Sequence, residues 1–296
     1  MDTRFEVDFA AAISRFESAM KKFKLKKIIY KSIFRGKGLE FDTYRNFEAD
    51  DDSTLIDWKA SLRANRLLAK QYIEEREFNV YFVVDVSNSM LFGSRNKLKA
   101  EYSCEIAAVL GHLVLNSGDN LGLILFSDKV VKVLPPARSR NQFMIFMNYL
   151  MDFANYGGKS DVTKAVQYVR ENVNLPFSVF IVISDFLHIG KRLQEELTLL
   201  SARFETMAVM VRDPMDESLP VGSSQLVVQH PSASRQMIVD PSIAAVKYQE
   251  IAMKQKEFAK ELFVHSAVDL LELYNDKDFV MPIVSFFKNR AGGTGE

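Results

Sequence analysis

The chain has 296 residues, of which 48% are hydrophobic and 26% are charged, as is typical of a globular protein with a sizeable core. Its 38 basic residues balance its 38 acidic residues, which argues against nonspecific nucleic-acid binding through overall charge. Its apolar stretches are shorter than a bilayer span and its first residues are too charged for a secretory signal, so we expect a cytoplasmic protein.

The N-terminal part of the chain predicts a helix followed by an irregular extension. Apolar residues recur at three- and four-residue spacing from Phe5 to Met20, which predicts an amphipathic helix. The basic segment 21–37 follows. We interpret it as a solvated face, with an acidic partner or peripheral membrane contact as the alternative. From there to residue 77, glycines and short apolar-polar alternations predict a β-rich extension.

From residue 78 onward, predicted strands alternate with predicted helices, which indicates a parallel sheet covered on both faces. The strands are predicted over 78–85, 121–126, 130–134, 178–184, 205–212, 225–229, 235–239 and 267–273. The helices are predicted over 97–116, 140–152, 162–173, 190–203, 243–262 and 277–288. We therefore predict a doubly wound, Rossmann-like α/β fold. Its parts are an N-terminal extension (1–77), a metal-binding domain (78–213) and C-terminal elements that complete the fold (214–296).

Cys104 is the only cysteine, and it lies within the helix predicted over 97–116. A single cysteine excludes an internal disulfide, and a thiol in an apolar helix is typical of a protein core. We therefore expect a buried thiol rather than a nucleophile.

The run from Tyr81 to Met90 ends an apolar strand in a loop with the pattern Asp85-x-Ser87-x-Ser89. One carboxylate and two hydroxyls at alternate positions are oxygen ligands that suit Mg²⁺, with Mn²⁺ or Ca²⁺ as alternatives. Open α/β sheets place their ligands at the carboxyl ends of their strands, where this loop begins. For one such loop alone, local hydrogen bonds that cap the next helix are an equally good interpretation.

Two further segments can supply the rest of a cation site. Ser160 stands at the entrance of the helix predicted over 162–173, and Asp185 follows the apolar strand predicted over 178–184. We predict that Asp85, Ser87, Ser89, Ser160 and Asp185 hold one divalent cation. A phosphate-binding loop at Gly158-Lys159-Ser160 is disfavoured, because the earlier glycine of that motif is missing.

These five residues resemble the metal-ion-dependent adhesion site of von Willebrand factor type A domains. The resemblance implies that the hydroxyls touch the metal and that the aspartates often act through water. Ser160 stands where a threonine is usual, and it keeps the hydroxyl oxygen. Around the site we predict contacts with a protein partner from the residues that flank the ligands, namely Asn88, Met90, Lys159, Phe186 and His188.

The segments Gly38–Phe41, Leu55–Ser61 and Glu74–Arg76, together with the loops named above, resemble the bacterial family labelled domain of unknown function 58. This resemblance implies a von Willebrand type A-like domain and a partnership with MoxR-type AAA+ ATPases in protein maturation or stress tolerance. Family members usually have a glycine where Asp50 stands and an arginine where Thr54 stands. From the residues alone, we expect the lone Trp58 to be a core anchor.

Three functions follow from this site. In the first, a binding module, the cation keeps an open position that an Asp or Glu of a protein partner completes. In the second, a hydrolase, the ion polarises a phosphoryl or acyl group, but this mechanism lacks a base. Of the four histidines, only His188 falls near the predicted site. In the third, the protein is a scaffold that works without metal. We favour the non-enzymatic binding module.

Overall fold

The structure is a computed structural model that describes residues 5, 7–22, 44–47, 56, 58–70, 77–220, 226–229 and 236–292. Helix α1 spans Phe9–Lys22 and buries Phe9, Ala12, Phe16 and Met20 of the predicted apolar pattern. The basic segment, apart from its first two lysines, and the family signatures around residues 38–41 and 74–76 lie outside the described residues.

The described part of the extension contains a helix as well as strands. Strands β1 (Tyr44–Asn46) and β2 (Leu68–Lys70) pair antiparallel, and helix α2 (Trp58–Ala64) precedes β2. The irregular sequence pattern did not predict this helix. Trp58 is 64% exposed at its start, so the prediction of a core anchor was wrong. A short helix on the surface leaves one side open to solvent, and Trp58 lies on that side.

A six-stranded sheet forms the centre of the fold. Its strands are β3 (Asn79–Asp85), β4 (Asn120–Phe126), β5 (Val130–Ala137), β6 (Ser178–Ser184), β7 (Glu205–Arg212) and β10 (Asp269–Tyr274). They lie in the order β10-β7-β6-β3-β4-β5, and all neighbours are parallel except the edge pair β4 and β5. The central strands are buried on both faces, which is why their sequences are continuous runs of apolar residues.

Helices cover both faces of this sheet. They are α3 (Lys99–Asn116), α4 (Arg140–Met151), α5 (Val162–Asn172), α6 (Leu193–Arg203), α7 (Pro241–His265) and α8 (Val280–Gly292). A hairpin of β8 (Leu226–Gln229) and β9 (Gln236–Val239) precedes α7. Among the described helices, none combines the length and apolar character needed to cross a bilayer.

Alternate residues of each central strand enter two separate cores. Phe82 of β3 joins the core beneath α1, α3, α4 and α8, whereas Val83 joins the core beneath α5, α6 and the end of α7. This division follows from the two-residue repeat of a strand, which sends successive side chains to opposite faces. The predicted doubly wound α/β fold is confirmed.

Cys104 is fully buried in α3, and its thiol lies 3.3 Å from the carbonyl oxygen of Leu150. Burial raises the pKa of Cys104 to about 12. We therefore expect the folded protein to resist a maleimide reagent, because it holds about a thousandfold less thiolate at neutral pH than an ordinary thiol does. Mass spectrometry of labelled protein checks this. Complete labelling under native conditions, at the rate seen in concentrated urea, would contradict it.

Candidate metal centre

The strand order of the sheet reverses between β3 and β6, and the predicted ligands gather there. Strand β4 lies on one side of β3, whereas β6 lies on the other side and leads to β7 and β10. Such a reversal leaves a crevice outside the carboxyl ends of the two strands. Asp85 ends β3, Ser184 ends β6 and Asp185 follows it, so both carboxylates lie at this crevice.

Asp85 is the centre of a cluster of hydroxyl groups. Its Oδ1 accepts a hydrogen bond from the backbone N–H of Ser87 at 2.9 Å. Its Oδ2 accepts bonds from the hydroxyls of Ser160 at 2.6 Å and Ser184 at 2.7 Å. Burial and the negative charge of Asp185 raise the pKa of Asp85, although these hydrogen bonds oppose that rise. The carboxylate therefore sits where a positive charge would be strongly favoured.

The hydroxyls of Ser87 and Ser89 complete the cluster. They lie 3.1 Å apart, and the Ser89 hydroxyl lies close enough to Asp185 to lower the pKa of that carboxyl. Short contacts thus link Asp85, Ser87, Ser89 and Ser160, and Asp185 lies next to this group, close enough to act on the pKa of Asp85.

The loop that carries Ser160 is fixed to the first loop by the backbone. The N–H of Gly157 donates to the carbonyl of Val86 at 2.8 Å, and the N–H of Asn88 donates to the carbonyl of Gly158 at 3.0 Å. Gly158 has a φ of +80°, and a Cβ there would lie 3.1 Å from the carboxylate of Asp128. Glycine is favoured here because it adopts this left-handed conformation without strain.

Asp185 is held by an internal cation that the sequence did not reveal. The ammonium of Lys99, at the start of α3, lies 2.8 Å from Asp185 Oδ2 and 3.0 Å from Asp216 Oδ2, and all three side chains are buried. Burial alone would raise the pKa of Asp185, but the charge and hydrogen bond of Lys99 outweigh it and leave that pKa lowered. In the same way, burial would lower the pKa of Lys99, but the two carboxylates leave it raised.

A strained turn follows Asp185. Phe186 has a φ of +46°, which is unusual for a bulky residue. Its buried ring packs edge-on against the ring of Phe263, with 4.9 Å between the ring centroids. The turn lets the N–H of Leu187 donate to Asp185 Oδ1 at 3.1 Å. Burial of the ring thus offsets the strain of a turn that orients the carboxylate.

The donor set fits a hard divalent cation. It consists of two carboxylates and three hydroxyls gathered at the ends of β3 and β6, and Mg²⁺, Mn²⁺ and Ca²⁺ prefer such oxygen ligands. No group of three or more His, Cys, Asp or Glu side chains in the described ranges is arranged to hold a metal. A cation at this site therefore depends on the serine hydroxyls as much as on the carboxylates.

The predicted partner contacts divide into two groups. Lys159 and His188 are exposed and Asn88 is half-buried, so these three side chains remain accessible. Met90 and Phe186 are buried, at 0% and 1% exposure, and cannot contact a partner through their side chains. We correct the prediction for these two residues. Both are apolar residues next to ligands, and the core takes up their side chains.

Sequence reasoning also missed Ser184. It occupies the register position beside Asp85, since Val84 pairs with Ile183, and its hydroxyl reaches Asp85 across the strands. A hydroxyl at the last position of an otherwise apolar strand was the signal that could have identified it.

Asp213, at the end of β7, organises the neighbouring loops. Its carboxylate accepts hydrogen bonds from the N–H and hydroxyl of Ser94, from the N–H of Met215 and from the side-chain amide of Asn275. Burial alone would raise the pKa of Asp213, but these bonds outweigh it and leave the pKa lowered. The ionised carboxylate therefore stabilises the fold.

For Asp213→Asn we expect a loss of about 1.5–3 kcal/mol in the free energy of unfolding at neutral pH. Because the folded pKa lies below the unfolded one, this stabilisation is present above the unfolded pKa and disappears as the pH falls through the folded pKa. The difference between variant and wild type should therefore shrink below about pH 4. Urea unfolding across this pH range measures it, with the exposed Asp276→Asn as control. A difference that is constant with pH would contradict the account.

The parallel sheet, its two helical layers and the hydroxyl-and-carboxylate cluster at the strand reversal define a von Willebrand factor type A-like protein. The chain belongs to the family described as protein of unknown function DUF58, whose model matches residues 43–258. The resemblance to this family that the sequence predicted is confirmed.

Related proteins are found in mycobacteria. The chain is 27% identical over 290 residues to an uncharacterized protein of Mycobacterium tuberculosis, which covers 96% of this chain and 90% of the relative. It is 28% identical over 151 residues to an uncharacterized protein of Mycobacterium avium, which covers 47% of this chain and 82% of the relative.

Two solved structures are similar to the chain at a low level. The conserved hypothetical protein BatB from Bacteroides thetaiotaomicron has 15% identity and a TM-score of 0.45, covering 73% of this chain and 99% of that one. The SpRpn10 VWA domain has 11% identity and a TM-score of 0.41, and the match covers 71% of this chain and 94% of that domain.

Proposed function

We propose that the protein is a non-enzymatic, divalent-metal-dependent protein-binding module. In this proposal Asp85, Ser87, Ser89, Ser160 and Asp185 hold Mg²⁺, and an acidic side chain of a protein partner completes the coordination. The observation that carries the proposal is the charge of the cluster. Two carboxylates meet three hydroxyls, and one of those carboxylates is already paired with a buried lysine.

This balance of charge favours a ligand from outside. A divalent cation surrounded by several free carboxylates has little attraction left for another acid, whereas hydroxyl ligands leave its charge largely intact. Lys99 compensates part of the charge of Asp185, so the cation here would keep a strong preference for an additional anionic oxygen. A carboxylate from a partner protein is the simplest such group.

The partner that the family resemblance supports is a MoxR-type AAA+ ATPase, acting with this protein in the maturation or stress tolerance of other proteins. The balanced composition supports a protein partner rather than a nucleic acid. We place this interaction in the cytoplasm.

Capture of partners from native cell extract tests the proposal. Immobilised wild-type protein should retain a specific set of proteins in Mg²⁺ and release it in EDTA, whereas Asp85→Asn should retain none of that set under either condition. Asp276→Asn, which changes an exposed aspartate outside the site, should behave as wild type. Identical captured proteins with Mg²⁺ and with EDTA would support a metal-independent scaffold instead.

The hydrolase alternative makes a different prediction. It requires that purified wild-type protein turns over a generic phosphoester in Mg²⁺ and that Asp85→Asn does not. In the binding module the cation has no reacting substrate, so we expect both proteins to be inactive. Turnover that depends on Asp85 would overturn the non-enzymatic proposal.

A further inference from the structure

A cleft of about 480 Å³ adjoins the candidate metal centre. Its lining runs from the ligand loop to helix α7, through Ser160, Asp161, Leu187, His188, Ile189, Gly190, Gln255 and Phe258. Ser160 belongs to both the cleft and the predicted ligand set. A group bound at the cation would therefore have the rest of its chain beside this cleft, whose volume accommodates a few side chains.

Helix α7 contributes Gln255 and the exposed ring of Phe258 to the cleft. Phe258 is 55% exposed, and Ile251, which lies outside the cleft lining, is 59% exposed. They lie three and four residues from Gln255, so all three share one side of the helix. Leu187 and Ile189, on the opposite wall, are half-buried. Large apolar side chains grouped beside a polar site are typical of a binding surface.

The α7 side of the cleft is fixed relative to the ligand loop. Gln255 donates hydrogen bonds to the carbonyls of Phe186 at 2.6 Å and Leu187 at 3.2 Å, directly after Asp185. Arg212, at the end of β7, donates to the side-chain carbonyl of Gln255 at 2.8 Å. The α7 side of the cleft and Asp185 are thus parts of one rigid unit, and a preformed site loses little conformational entropy on binding.

A second link joins α7 to the cluster of buried charges. The hydroxyl of Tyr248 donates to the carbonyl of Met215 at 2.7 Å. The next residue, Asp216, holds the ammonium of Lys99, which in turn holds Asp185. The position of α7 is therefore specified at two points along its length.

The charges around the cleft favour an acidic ligand. Lys159 and Lys191 are exposed and directly adjoin the lining residues Ser160 and Gly190 in the chain. The acidic side chain in the lining, Asp161, is paired with Lys164 at 3.4 Å. His188 adds an imidazole that is also exposed. Basic side chains around an apolar cleft attract acidic segments and increase their rate of association.

We propose that the occupant of this surface is a segment of a partner protein in which an Asp or Glu is adjacent to a large apolar residue. This inference rests on the proposed function. The carboxylate would bind the cation, and the apolar side chain would enter the cleft against Phe258. The cation supplies the common anchor, and the cleft selects among acidic segments.

Two fluorescein-labelled peptides test this inference by fluorescence anisotropy. One has the sequence Gly-Ser-Leu-Asp-Leu-Ser-Gly, and its match has Ser in place of both Leu. In Mg²⁺ we expect the Leu peptide to bind wild type at least about tenfold more tightly, since burial of one large apolar side chain contributes about that factor. EDTA should abolish the binding of both peptides.

Variants of α7 locate the effect. Phe258→Ser should weaken binding of the Leu peptide about tenfold and leave binding of the Ser peptide unchanged. Val264→Ser is the matched control, because Val264 is 76% exposed and lies nine residues from Gln255, on the opposite side of the helix. It should bind both peptides as wild type does.

The outcomes separate this inference from the proposed function. If both peptides bound equally in Mg²⁺ and Phe258→Ser had no effect, the proposed role of the cleft would be wrong, but the proposed metal-dependent binding function would stand. Calorimetric Mg²⁺ binding without binding of either peptide would likewise overturn the inference alone. Absence of both Mg²⁺ binding and peptide binding would overturn the inference and the proposed function together.

Discussion

In Asp85→Asn we expect Mg²⁺ to have no effect on stability, whereas it should raise the unfolding free energy of wild type. At a Mg²⁺ concentration 100 times the dissociation constant, this increase is about 2.7 kcal/mol. Asp85 is the carboxylate on which Ser87, Ser160 and Ser184 converge, so the variant loses the charge at the centre of the site. Thermal unfolding in Mg²⁺ and in EDTA measures the difference.

The metal-free forms provide the internal control for this experiment. Burial and Asp185 raise the folded pKa of Asp85 above its unfolded value, so the ionised group destabilises the metal-free fold at neutral pH. As the pH falls through the folded pKa, Asp85 becomes protonated and metal-free wild type becomes more stable. Asp85→Asn lacks this ionisable group, so its stability should not show this change. The variant in EDTA should thus be at least as stable as wild type. A large loss of stability in EDTA would show that Asp85 is mainly structural.

Lys99→Met should destabilise the protein by about 3–5 kcal/mol. The ammonium of Lys99 is the cation that contacts both Asp185 and Asp216, and the side chains of all three are at most 8% exposed. Methionine replaces the aliphatic stem of the lysine but leaves two buried carboxylates without a counter-charge, and breaking a buried ion pair carries a cost of this size. Urea unfolding at neutral pH in EDTA gives the magnitude.

Two further variants identify the source of this loss. Lys254→Met removes a lysine that is 74% exposed and pairs with Glu250 on the surface of α7, so it should cost less than about 1 kcal/mol. In the double variant Lys99→Met with Asp216→Asn, part of the lost stability should return because one orphaned charge is gone. If Lys99→Met and Lys254→Met had equal effects, the buried charge network would not have the role assigned to it.

The strand-helix alternation predicted most of the fold because its signal is local. Buried parallel strands are short continuous apolar runs, and the helices between them carry their own apolar spacing. The strands predicted over 178–184 and 205–212 match β6 and β7 to the residue. The extension was less predictable, since α2 has seven residues and leaves Trp58 in solvent.

The ligand loops could be predicted for the same reason, as each loop directly follows or precedes a regular element. Lys99 and Asp216 could not, because they meet across 117 residues of chain through a contact that has no sequence period. A lysine at the start of a helix is normally expected in solvent. The contacts of Lys99 with Asp185 and Asp216, which follow β6 and β7 in the chain, show that this lysine is an internal counter-ion.

The burial of Met90 and Phe186 changes how the partner surface is understood. Loop residues beside a ligand are natural candidates for contact, yet these two side chains anchor the loops in the core. The accessible groups are instead Lys159, His188 and the exposed side of α7 around Phe258. The ligand loops and the surface that recognises a partner thus come from different parts of the chain.

Calorimetric titration of Mg²⁺ into wild type, Asp85→Asn and the double variant Ser87→Ala with Ser89→Ala tests the central claim most directly. We predict a saturable heat with one site per chain for wild type and no binding heat for either variant, because the cation needs both the carboxylate and the hydroxyls. Equal heats in all three proteins, or no heat in wild type, would contradict the metal-dependent function.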